Sequence, residues 1–113
     1  MTAPQRVQMS RQHAWRAEHP TAVIVDRTTA WGNPIRIQAG TFVRAPSQAA
    51  WGVRQVDTAV EAVELFRQWM TGEIEVSGAT RPNLGYLRGQ DLACWCAPDA
   101  ACHADVLIEL ANA

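Results

Sequence analysis

The chain has 113 residues, 48% of them hydrophobic and 19% charged, with a formal net charge of −1. That composition is ordinary globular usage and excludes a disordered or low-complexity chain. It also argues against nucleic-acid binding through a broadly basic surface. No apolar run approaches the roughly 18 residues of a membrane span. All ten basic residues are arginine, and the polar opening residues do not read as a signal peptide.

In chain order, residues 7–18 are expected to form a short helix or arm that ends before Pro20, leaving a single compact domain over 21–113. Residues 21–27, β-branched and apolar up to Asp26-Arg27, read as a strand buried on both faces, as in a parallel or mixed sheet. Trp31-Gly32-Asn33-Pro34 is a turn, because Asn before Pro is pushed out of the helical region and Gly supplies freedom. Residues 35–43 suggest two short strands or a hairpin, and 46–52 a loop. The clearest helix spans about 58–70. Thr58 and Glu61 form a capping box there, and Val56, Val60, Val63, Phe66 and Met70 form an apolar stripe. Trp69 on the same helix is expected in the core. A short helix over 82–87, a buried strand over 92–96 and a terminal helix over 102–111 complete the chain. Strands alternating with helices predict an α/β fold, a small mixed or parallel sheet flanked by helices as layers.

The chemistry is concentrated near the C-terminus, where Cys94, Cys96 and Cys102 fall within nine residues and His103 follows. An odd count of clustered cysteines is not a secreted disulfide framework and points to a reducing, cytoplasmic setting. On a strand Cys94 and Cys96 share a face and Trp95 points away. Cys102 and His103 then open the last helix, where unpaired N–H groups and the dipole stabilise a thiolate or an anion. Beside plain packing, three readings stand. Cys94, Cys96, Cys102 and His103 could hold structural zinc, although C-x-C and an adjacent Cys-His pair are tight for a tetrahedron. Cys102 with His103 could be a catalytic or redox-sensitive pair, with Asp105 a further polar partner. Or the cysteines line a ligand pocket.

The second loaded segment is the first turn. Arg27 offers an anion fork, Trp31 a stacking face, and Gly32 and Asn33 a close backbone approach. If both buried strands run parallel, Arg27, Trp31, Gly32, Asn33, Cys96, Cys102 and His103 surround one cleft.

These same motifs carry a resemblance. V-x-V-D-R, W-G-N-P, the amphipathic helix, L-R-G-Q-D-L-A-C-W-C-A-P and C-H-A-D-V-L together resemble a bacterial and bacteriophage family, domain of unknown function 4326. The matching positions are Arg27, Trp31, Gly32, Asn33, Pro34, Leu87, Arg88, Gly89, Leu92, Cys94, Cys96, Cys102 and His103, whereas Gln90 stands where the family commonly has Lys. The resemblance implies a stand-alone domain in a host cytoplasm, quite often viral, and no particular activity. Two functions are expected from different classes. One is binding of a nucleotide-like or phosphorylated small molecule between the WGNP turn and the Cys-His helix start. The other is a phage protein that engages a host protein, with the cysteines serving zinc or packing. A homodimer fits either.

Overall fold

Arg6, Val7, Gln8 and Met9 alternate polar and apolar, a period of two that suits a strand better than a helix. The computed structural model, which describes residues 3–113, forms strand β1 at Arg6–Gln8. The helix expected over 7–18 is therefore reduced to α1 at Trp15–Glu18, and Arg6–Gln8 is part of a sheet rather than an arm. The alternation wins because β1 gains a partner 86 residues away, with Arg6 paired to Leu92 and Gln8 to Cys94.

The remaining elements, in order, are β2 (Val23–Ile24), β3 (Ala39–Arg44), β4 (Gly52–Val56), α2 (Ala59–Met70), β5 (Glu75–Val76), a 3₁₀ turn (Leu84–Leu87), β6 (Leu92–Cys94) and α3 (His103–Ala111). The fold is α/β, with one parallel and one antiparallel sheet. Among the described residues no helix is long and apolar enough to cross a membrane.

Contacts group the chain into two units. The first takes the described residues up to Gly32 together with Pro82–Ala113. Its sheet has the order β1-β6-β2, all parallel. β6 lies at the centre, and all its residues are buried, as expected for a continuous apolar strand. α3 packs on β6, β1 and the 3₁₀ turn, burying Val106 and Leu107. A small cluster of Val7, Met9, Ala22 and Ala93, with Trp15 and Ile24 against it, fills in below the first strand.

The second unit is Asn33–Arg81. Here β3 pairs antiparallel with β4 and with β5, so residues 35–43, expected as two short strands or a hairpin, give part of one strand whose partner β4 begins where the expected 46–52 loop ends. α2 starts at the expected capping box: Thr58 Oγ1 accepts from Glu61 N at 3.1 Å, and the Glu61 carboxylate meets the Thr58 hydroxyl. Its buried face is Ala62, Leu65, Phe66 and Trp69, so the predicted stripe is rotated. Only Phe66 belongs to both sets, and Val60 is exposed. The bulkier Leu, Phe and Trp set the phase, and Phe66 and Trp69 meet edge to face at 5.8 Å.

Candidate functional site

Because β1, β6 and β2 run parallel, the segments that leave them emerge at one edge of the sheet. Backbone pairing continues past the strands there, from Met9 N to Cys94 O at 2.7 Å and from Val25 N to Ala93 O at 2.9 Å. Cys94 ends β6 and is buried, Cys96 is half-buried two residues on, and Cys102 is the buried N-cap of α3. Their three sulfurs all lie within 4.8 Å of one another, and Cys94 Sγ is 3.2 Å from Cys102 Sγ. All three are free thiols that could together hold a metal ion.

The loop that returns from Cys96 to Cys102 is held by Arg6. Its guanidinium donates to the carbonyls of Ala97 (3.0 Å), Pro98 (2.5 Å) and Ala100 (3.0 Å), and pairs with Asp105 at 3.2 Å. The Arg6 side chain is only 9% exposed. Burial works against its charge, yet Asp105 and Cys102 outweigh burial and raise its pKa. A planar fork reaching three carbonyls is something only Arg provides.

The same surroundings split the thiols. Cys102 is held well below the usual thiol range, chiefly by the hydrogen bond from Cys94. His103, Cys96 and the Ala104 N–H in the first turn of α3 add to this, against the penalty of burial. Cys94 moves the opposite way because its proton is donated to Cys102 and because it is buried. Cys96 is pushed up to about 11 by burial first and by Cys102 second. Cys102 is therefore the most readily ionised of the three thiols.

His103 is buried, with Nε2 2.6 Å from the Val25 carbonyl and Nδ1 3.9 Å from Cys102 Sγ. A carbonyl only accepts, so Nε2 carries a proton and donates it to Val25. His103 stands outside the close group of three thiols.

The first turn is placed differently. Asp26 caps its own loop, accepting from Thr28 N at 2.9 Å and from the Thr28 hydroxyl. Its second oxygen accepts from Trp95 Nε1 at 3.1 Å, which joins the exits of β2 and β6. Thr28 first, then its N–H and Trp95, hold the Asp26 carboxyl below its ordinary value despite some burial. Arg27 is exposed. Trp31 donates its Nε1–H to Asn83 O at 3.2 Å. Gly32 leaves no room for a side chain, since a Cβ there would sit 2.5 Å from Asp26 O. Asn33 belongs to the second unit, where Oδ1 accepts from Ile35 N and Nδ2 donates to Ala62 O. Trp31, Gly32 and Asn33 thus each have a structural task.

The structure brings Cys94, Cys96 and Cys102 together, with His103 beside Cys102, and sequence reasoning did not single out Arg6, Asp26 and Trp95. The D-R-T-T run after an apolar strand was a legible signal for the Asp26 turn. For Arg6 the only signal was its place in an alternating strand.

The family model for the domain of unknown function DUF4326 matches residues 7–113, and the chain belongs to that family. No curated protein and no solved structure matches it.

Proposed function

We propose that this DUF4326 domain is a zinc-binding domain in which Cys94, Cys96 and Cys102 bind Zn²⁺ as thiolates. The observation that carries the reading is the mutual approach of the three sulfurs within 4.8 Å. A tetrahedral zinc with Zn–S bonds of about 2.3 Å separates its sulfurs by about 3.8 Å, inside the span from the 3.2 Å pair to that limit. Thiolate donors favour zinc among the available divalent ions. His103 Nδ1, 3.9 Å from Cys102 Sγ but outside the group of three sulfurs, would have to close in to take the fourth position. Its Nε2–H on the Val25 carbonyl is the kind of outer contact that fixes a ligating imidazole.

Three thiolates on a divalent ion leave one negative charge, and the nearly buried Arg6 guanidinium beside Cys102 offsets it. Bound there, zinc supplies bonds that tie the end of β6, its following loop and the start of α3 into one piece. Its role is structural.

The test is metal content and melting. Protein purified without chelator is expected to carry a single zinc ion per chain, and each of C94S, C96S and C102S to lose it. Chelation is expected to lower the melting point, since zinc at a hundredfold excess over Kd stabilises by about 2.7 kcal/mol. His103→Ala weakens binding without abolishing it, because the ring lies outside the close thiol group. Reduced protein that neither retains zinc nor melts higher when zinc is added overturns the reading.

A further inference from the structure

At the same edge of the parallel sheet, residues 8–13 and Trp95 line a shallow, open hollow of about 440 Å³. That volume is within the roughly 300–1,000 Å³ of small-molecule sites. Its position beyond the carboxyl ends of parallel strands is where open α/β sheets receive ligands. The hollow is formed by the exits of β1 and β6, both in the first unit, and none of the thiols lines it.

Its chemistry is specific. Trp95 is 49% exposed, an unusual state for so large an apolar ring, and its Nε1–H is fixed on Asp26 Oδ2 at 3.1 Å. The indole is therefore a platform with a set orientation and an open surface. Among the lining residues the charged or titratable groups are Arg11 and His13, and none is a carboxylate. His13 pairs with Glu18 at 3.2 Å, which leaves Arg11 as the principal cation of the hollow. The Arg11 guanidinium lies 5.8 Å from the Trp95 ring centroid. That is farther than a stacked layer, about 3.5–4 Å, and closer than the double layer an inserted ring needs. For a planar ligand to stack on that face, Arg11, which is exposed, would have to leave it and meet the ligand's periphery.

From this geometry we infer a binding site for a flat aromatic anion of the nucleoside monophosphate class, its base on Trp95 and its phosphate on Arg11. The inference is independent of zinc and moves the nucleotide-like ligand expected from the sequence off Trp31 and onto Trp95.

Calorimetric titration of the whole chain with AMP, GMP, CMP, UMP and inorganic phosphate tests it. At least one nucleotide is expected to bind, and inorganic phosphate alone to bind far more weakly. Arg11→Ala and Trp95→Ala are each expected to weaken binding by about tenfold or more, as for a lost charged contact or a lost base stack. Trp95→Phe retains most of the affinity, Arg11→Ala carries the test should Trp95→Ala not fold, and Arg36→Ala, exposed in the second unit, changes nothing. No heat with any nucleotide at millimolar concentration overturns the inference, as does binding left unchanged by Arg11→Ala or by a folded Trp95→Ala. A chain that holds zinc but no nucleotide refutes this site alone, and one that binds nucleotide without zinc refutes only the metal centre.

Discussion

Replacing Arg6 with Met keeps the aliphatic stem and deletes the fork that donates to Ala97, Pro98 and Ala100. A hydrogen bond to a charged group contributes about 1.5–3 kcal/mol when buried. These carbonyls are on an exposed loop, so water recovers part of each bond once the guanidinium is gone. The Asp105 pair adds little, roughly 0–1 kcal/mol, because its carboxylate is 60% exposed. The expected net loss is about 2–4 kcal/mol, or roughly 10–15 °C in melting temperature for a chain of this size. Arg6→Lys should recover only a fraction, since an ammonium cannot span three carbonyls. Asp105→Asn should cost under about 1 kcal/mol. Thermal and urea melts of the three variants decide the matter. An Arg6→Met protein that melts within a degree or two of the parent refutes the clamp. So does an Asp105→Asn loss equal to that of Arg6→Met, which would make the ion pair the whole effect.

Gly32→Ala places a Cβ 2.5 Å from Asp26 O and 2.7 Å from Arg27 Cα, both backbone atoms with no rotamer to yield. A loss of about 3 kcal/mol is expected in denaturant midpoints, and an unchanged midpoint would show that the turn relaxes freely. Thr58→Ala removes the α2 cap and should cost about 1 kcal/mol, with Thr58→Ser nearly silent in the same melts. Asp26 has a folded pKa below its ordinary value, led by the Thr28 hydroxyl. Its contribution is thus present above the unfolded carboxylate pKa near 3.9 and lost as pH falls through the lower folded value. The stability gap between parent and Asp26→Asn should therefore be constant from about pH 5 to neutrality and shrink in acid. A gap independent of pH down to about 2 contradicts the assignment.

Local chemistry explains which parts of the fold could be read in advance. α2 was legible because a capping box and an apolar period act within a dozen residues. α3 was legible because Cys102 stops one strand-turn unit and opens a helix. The phase of α2 was not, because Val60 and Val63 compete with Leu65 and Trp69 for the buried side, and only tertiary packing ranks them by size. β4 was hidden for another reason. Four of its five residues are exposed, so burial writes no alternation into Gly52–Val56, and pairing with β3 alone makes it a strand. β1 likewise depends on Leu92–Cys94 far along the chain.

The same distinction governs the candidate site. Strand period was the reason to bring Cys94 and Cys96 together, but β6 ends at Cys94 and a bend carries Cys96, so the bend sets their approach. Whether Cys102 joins them depends on the path of residues 97–101, which is set by a guanidinium 91 to 94 residues away in sequence. Arg6 holds that loop, while His103 on the Val25 carbonyl and the packing of α3 fix the helix start. With these in place, three sulfurs converge, and Trp95 between two of them is left facing outward with its N–H on Asp26. The thiol cluster and the exposed indole therefore share one five-residue stretch, Cys94 to Pro98. A perturbation that moves the thiols must also move the indole. Zinc removal should accordingly change the near-ultraviolet signal of Trp95, measured as the difference between the parent and Trp95→Phe. An indole signal indifferent to zinc would separate the two and break this coupling, even if each site stood on its own.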